Sequence, residues 1–244
     1  MTTTNTQSNT SIAEIVDGIF RISTPIPPNP AMPGGFTFNQ YLIVDDKPLL
    51  FHTGLRHLFP FVREAIATVI PVSSLSYIAF SHVEADECGS LNDFLAEAPN
   101  AVPLCSLVAK MVSVDDIADR AAHGMADGEK LSLGKRTIRW LDAPHLPHGW
   151  ECGYIFEETT RTLLCGDLFT QPGAEHPALT EDDILAPSEA MRSKMDYYAH
   201  SANTGKLLDK LASAQPNILA CMHGSAWKGD GAKLLGELAE VLTR

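Results

Sequence analysis

Ser76-Tyr77-Ile78-Ala79-Phe80-Ser81-His82-Val83-Glu84-Ala85-Asp86-Glu87 is the stretch whose reading decides the fold. The run SYIAF is short and apolar, which predicts a buried strand, and an imidazole and three carboxylates follow at once. His82, Glu84 and Asp86 alternate, so they share one face of an extended chain, and in a tight loop they can close around a cation. Imidazole with carboxylates and no sulfur suits iron, manganese or zinc. The alternative is a polar loop whose acids favour the N-terminus of the next helix. The same event recurs three times: RWLDAP runs into His145-Leu146-Pro147-His148, TLLCG ends at Asp167, and ILACM ends at His223-Gly224. Strand ends are where α/β enzymes assemble sites, because the sheet fixes the backbone while emerging loops let side chains converge.

Outward from this stretch, IVDGIFRIS from Ile15, FTFNQYLIV from Phe36 and PLLF from Pro48 predict an antiparallel meander, broken by PIPPNPAMPGG. Leu58, Val62, Ile66 and Val69 recur at helical spacing. Further strands are predicted at Thr137–Leu141, Gly153–Phe156, Thr162–Cys165 and Ile218–Cys221, and helices at Ser90–Leu95, Glu189–His200, Lys206–Ala212 and Lys233–Leu242. The class is mixed α/β. Thr170–Ser188, rich in Pro and acids, is the one long irregular stretch and reads as a loop near a functional mouth. The 244 residues suit one domain, 14–244. The Thr/Asn/Ser-rich start has neither a basic nor an apolar segment, so 1–13 reads as a disordered lead-in and not a signal peptide.

With 18 Lys+Arg against 30 Asp+Glu, a net charge of -12 and no basic run, a nucleic-acid surface or an anionic membrane partner is not expected. No apolar stretch approaches the ~20 residues of a bilayer span, and the default expectation is a cytoplasmic protein. Cys88, Cys105, Cys152, Cys165 and Cys221 are odd in number and form no CxxC, which predicts reduced, buried thiols.

The motif HxExDE at His82–Glu87, with FNQYLIV, the HTG turn at His52, CGDLF around Asp167, YYAHSANTGKLLDKL and HGSAW from His223, resembles the metallo-β-lactamase superfamily over Ile15–Lys228. Glu at the third motif position resembles its di-iron branch, the flavodiiron proteins and stand-alone oxygen-binding di-iron proteins. The resemblance implies a four-layer αββα sandwich holding two iron ions, one on His82, Glu84 and His148, the other on Asp86 and His223, with Asp167 bridging. It selects His148 over His145 as the ligand, and it assigns no catalytic residue. Two positions depart from the pattern. Glu87 stands where the family has His, and either ligates the second metal or turns away to cap the helix near Ser90. His52 stands where many members have Asp, and is expected behind the ligands or simply packed. His57, His123, His176 and His200 have no such context and read as surface or packed imidazoles.

A metallo-hydrolase acidifies a bound water by leaving its metal charge incompletely neutralised. If Glu84, Asp86, Glu87 and Asp167 all face two divalent ions, the site is neutral, which disfavours hydroxide and favours iron cycling between ferrous and ferric. The expectation is therefore an oxidoreductase that binds or reduces dioxygen, or nitric oxide. No Gly-rich nucleotide fingerprint appears and no flavin domain follows the core, so electrons are expected from an external donor protein. The alternatives are a zinc- or manganese-dependent hydrolase of an ester, thioester or phosphate, and a non-enzymatic gas sensor. Homo-oligomerisation is left open.

Overall fold

A computed structural model describes residues 1–30 and 32–243. Its strands alternate strictly in the destination of their side chains. In the first sheet Leu42, Leu50 and Ile78 pack outward with Val62, Ile66 and Phe94, while Tyr41, Ile43, Leu49, Phe51 and Ala79 point inward. In the second, Tyr154, Phe156, Leu163 and Leu219 pack outward with Leu208, Leu211, Leu234 and Leu235, while Ile138, Trp140, Ile155, Leu164 and Ala220 point inward. A period of two that is apolar on both faces needs cover on both sides, which the two sheets give each other and the helices complete. The result is the expected αββα order of layers.

The first sheet follows sequence order through Thr2–Asn5 (β1), Thr10–Val16 (β2), Ile19–Ile26 (β3), Phe36–Ile43 (β4), Leu49–Phe51 (β5), Tyr77–Ala79 (β6), Val102–Ser106 (β7) and His123–Met125 (β8). It is antiparallel as far as β5 and parallel from β5 to β8. Parallel neighbours need long crossovers, and the helices Phe59–Ala67 and Leu91–Glu97 supply two of them. The second sheet contains Lys130–Ser132 (β9), Thr137–Asp142 (β10), Gly153–Glu157 (β11), Thr162–Leu164 (β12), Leu179–Thr180 (β13), Ile218–Ala220 (β14) and Ala226–Lys228 (β15). Its β12 and β14 run parallel as direct neighbours. The segments that follow β5 and β6 thus leave side by side, as do those that follow β12 and β14, and these are the segments that carry the ligand-type residues.

Three expectations differ from this architecture. The lead-in over 1–13 is ordered: it supplies β1 and the start of β2, because its threonines are β-branched and suit a pleated surface. Asn5 Oδ1 accepts from the amides of Gln7 and Ser8 to form the turn, and Thr10 Oγ1 lies 2.9 Å from Thr24 Oγ1 in the sheet. The helix expected over Glu189–His200 is Leu185–Arg192. Beyond it the Tyr197 carbonyl accepts from His148 Nδ1 and the Ala199 amide donates to Pro147 O, so tertiary bonds replace helical ones. The stretch Thr170–Ser188 is interrupted by β13, which pairs with β15. All five cysteines are buried and unpaired. No helix of the described residues is long and apolar enough to cross a membrane.

Gly153, at the start of β11, is fixed by the indole of fully buried Trp140: a Cβ there would lie 2.4 Å from Cζ2. Gly153→Ala is expected to destabilise the fold by about 1–3 kcal/mol through overpacking. The urea midpoint measures it, and an unchanged midpoint would mean that this core yields freely.

Candidate metal centre

Each of three imidazoles has its Nδ1 fixed by an oxygen. His148 Nδ1 donates to Tyr197 O at 2.8 Å, His223 Nδ1 to Thr37 O at 2.7 Å, and His82 Nδ1 lies 2.9 Å from Ser81 Oγ. Fixing Nδ1 sets the ring and leaves Nε2 as the free donor atom. All three Nε2 atoms then face Asp167, from His82 at 3.7 Å and His148 at 3.5 Å to Oδ2, and from His223 at 3.2 Å to Oδ1. Glu84 Oε2 lies 2.9 Å from His82 Nε2 and 3.0 Å from His148 Nε2, and Asp86 Oδ2 lies 3.5 Å from His223 Nε2. Ligand atoms of His82, Glu84, His148 and Asp167 fall within 4.8 Å of one another.

The backbone that carries these groups is tightly tied. The His52 amide donates to Ala79 O, the Thr53 amide to Glu87 O and the Ser90 amide to Thr53 Oγ1, which locks the turn after β5 to the loop after β6. On the other sheet, Asn39 Nδ2 and Tyr41 Oη donate to Cys221 O, and Phe36 stacks on the His223 ring at 4.2 Å between centroids.

The electrostatics describe a site short of positive charge. Burial, with the charges of Glu87, Asp167 and Glu84, pushes the Asp86 carboxyl up to about 6 against the opposing His223. Burial raises Asp167 too, but hydrogen bonding and charge from His223, His82 and His148 bring it down to about 2. His148 is raised by its bond to Glu84, and His82 is raised, against its burial, chiefly by the Glu87 charge. The imidazoles thus serve as cations for carboxylates that crowd one another. Asp167 Oδ1 is buried against His223 Nε2 at 3.2 Å and has no other polar partner among the described residues. Oxygen and imidazole donors around a buried carboxylate oxygen with spare accepting capacity fit a hard or borderline divalent ion.

Six of the seven proposed ligands converge: His82, Glu84, Asp86, His148, Asp167 and His223. Glu87 lies apart from them. Its carboxylate is fully buried behind the group, where Oε2 accepts from Ser81 Oγ at 2.8 Å and from the Ser81 amide at 3.3 Å and closely contacts His52 Nε2. His52 Nδ1 in turn lies 3.0 Å from Met222 Sδ. The two positions that depart from the family pattern therefore meet as one buried acid–imidazole pair. The premise that four carboxylates face one centre does not hold for Glu87; two divalent ions, were they bound, would keep a net charge of +1 against the three that converge. His145 is exposed and outside the group, as are His57, His123 and His200, the last two paired with Glu129 and Asp196. Sequence reasoning missed Ser81, Thr37 and Tyr197; two of these act through backbone carbonyls, which any residue could supply.

The family model described as ODP family beta lactamase matches residues 36–224. Among curated proteins, the nitric oxide reductase of Moorella thermoacetica is 29% identical over 82% of this chain and 52% of its own length. The rubredoxin-oxygen oxidoreductase of Megalodesulfovibrio gigas is 29% identical over 81% of this chain and 50% of its own length. The chain therefore spans about half the length of these relatives. Among solved structures, rubredoxin oxygen:oxidoreductase from Desulfovibrio gigas superposes with a TM-score of 0.79 at 24% identity, covering 94% of this chain and 62% of that one. The flavodiiron protein from Giardia intestinalis gives 0.73 at 21%, covering 96% and 59%. The fold is that of flavodiiron cores, and since the matched segment runs from β4 to Gly224 and contains all six converging side chains, the chain belongs to the ODP family of beta-lactamase-like proteins.

Proposed function

We propose that this protein is a non-haem di-iron oxidoreductase that binds and reduces dioxygen or nitric oxide with electrons from a separate donor. The observation that carries the reading is the division of the Asp167 carboxylate, Oδ2 toward His82 and His148 and Oδ1 toward His223. A carboxylate with one oxygen directed at each of two imidazole groups suits two ions, whereas a single-metal site would leave one group without purpose. His82, Glu84 and His148 would hold one ion, Asp86 and His223 the other, and Asp167 would give an oxygen to each. When bound, two ferrous ions supply electrons at adjacent positions to a diatomic gas. Three anionic ligands suit ferric charge and leave less positive charge for acidifying water than a two-carboxylate site, which supports this reading over the zinc or manganese hydrolase. The names of the relatives, a nitric oxide reductase and an oxygen oxidoreductase, support it independently. A cytoplasmic setting agrees with five unpaired thiols.

The chain's own residues do three things at this centre. Tyr197 O, Thr37 O and Ser81 Oγ hold the imidazoles with Nε2 inward. Glu84, whose side chain is 50% exposed, opens one flank to solvent, while Asp167 at 9% closes the other. Glu87 acts through Ser81: by accepting the Ser81 hydroxyl proton, it turns the hydroxyl lone pair toward His82 Nδ1–H. Glu87 is thus a positioning residue for the His82 side of the site and leaves the Asp86–His223 side with fewer protein ligands.

Asp167→Ala is expected to lose both metals together and His223→Ala only one, read by elemental analysis of purified protein. Equal loss in the two variants would contradict a shared carboxylate. Anaerobically reduced protein should consume dioxygen or nitric oxide when an electron donor is supplied; ester cleavage with zinc bound and no gas consumption would favour the hydrolase.

Glu87→Ala should weaken metal binding about 10–100-fold on the His82 side, as loss of an outer-shell partner does. The paired exchange His52→Asp with Glu87→His should instead raise occupancy on the Asp86–His223 side, whereas Glu87→His alone sets two imidazoles against each other in a closed space. Chelator competition separates these outcomes. If Glu87→Ala weakened only the Asp86–His223 position, Glu87 would be a direct ligand.

A further inference from the structure

The inner end of β3 carries a charge that the metal centre does not use. Arg21 is 2% exposed, and no carboxylate of the described residues lies within ion-pairing distance of it. Its surroundings are the Tyr41 phenol, Cys221 and the Gly224 carbonyl, to which Nη2 donates at 2.5 Å; Nε has no acceptor. A buried guanidinium without an anion is costly, because desolvation of a charge is offset only by a partner of opposite sign.

Arg21 lines a cleft of about 430 Å³ together with Ser11, Ser23, Thr37 and His176. Ser11 and Ser23 are direct cross-strand neighbours on β2 and β3, both buried, and their hydroxyls make no hydrogen bond among the described residues. His176 lines the same wall, half-buried, with its ring held by the Pro172 and Gly173 backbone. One wall of the cleft therefore presents a guanidinium, two hydroxyls and an imidazole, while the exposed Glu175 is the one carboxylate among its lining residues; the whole protein bears a charge of -12, so this donor-rich wall stands against the prevailing sign. The volume is that of a small-molecule site.

We infer that this cleft binds a small oxyanion, the carboxylate or phosphate group of a metabolite-sized molecule, with Arg21 as its counter-charge and Ser11, Ser23 and His176 as further donors. The site is separate from the metal centre yet adjoins it, since Thr37 lines the cleft and its carbonyl holds His223. The inference does not depend on which gas or metal the centre takes.

Isothermal titration of the metal-loaded full chain with inorganic phosphate and with succinate, each against chloride at matched ionic strength, tests it. Saturable binding of one equivalent of either anion is expected; phosphate alone would assign a phosphate ligand, and succinate alone a carboxylate. Arg21→Met should weaken it at least about tenfold, the loss typical of a charge-assisted bond. Because Arg21 also braces Gly224, Ser11→Ala with Ser23→Ala gives a second reading that leaves that brace intact, and should weaken binding several-fold with metal content unchanged. No saturable binding of either anion, or binding that persists equally in both variants, would overturn the inference.

Discussion

The structure depends on one carboxylate that must satisfy two groups at once. Asp167 emerges just beyond β12, between His82 and His148 on one side and His223 on the other, and each of its oxygens serves one side. Around it Glu84 and Asp86 add negative charge in a region where Asp167 and His223 are almost shielded from solvent. Such a cluster is stable only with positive charge in its midst, and the neighbouring carboxylates raise the proton affinities of His82, His148 and His223, which lets the imidazoles meet that need. Metal ions would take over that role and release those protons, which couples metal binding to folding. The sandwich exists in the form needed to hold these groups: parallel β5 and β6 aim one set of loops, and parallel β12 and β14 aim the other.

The pairing of His52 with Glu87 changes what the departures from the family pattern mean. Taken singly, each is an unusual residue near a metal site. Together they are an acid and an imidazole in exchanged places, with the carboxylate tied to Ser81 and the ring against Met222. The pair holds the His82 side from behind and withholds a ligand from the His223 side. Two metals held as proposed would thus be unequally furnished, the one on the Asp86–His223 side having more room for an exogenous ligand.

Much of this was legible from the chain alone. SYIAF, RWLDAP, TLLCG and ILACM announce strands because short apolar runs bounded by polar residues have few other uses, and a ligand-type residue directly after each marks the rim. What was not legible follows from the range of the forces involved. Whether Glu87 faces a metal or Ser81 depends on a rotation of one side chain set by His52, thirty-five positions away. The Thr-rich start forms β1 because sheet pairing to β2 outweighs a polar composition. The helix expected over Glu189–His200 gives way after Arg192, where the Tyr197 carbonyl is needed by His148. Backbone acceptors such as Thr37 O and Tyr197 O leave no trace in residue identity.

The central claim is that two ions share Asp167, and anomalous scattering locates them directly. Diffraction data from crystals of protein purified from unsupplemented cells, collected on both sides of the iron absorption edge, should show two iron peaks flanking the Asp167 carboxylate. One should lie among His82, Glu84 and His148, the other between Asp86 and His223, with Glu87 in contact with neither. A single peak, a peak within bonding distance of Glu87, or peaks that appear only at the zinc edge would contradict the account.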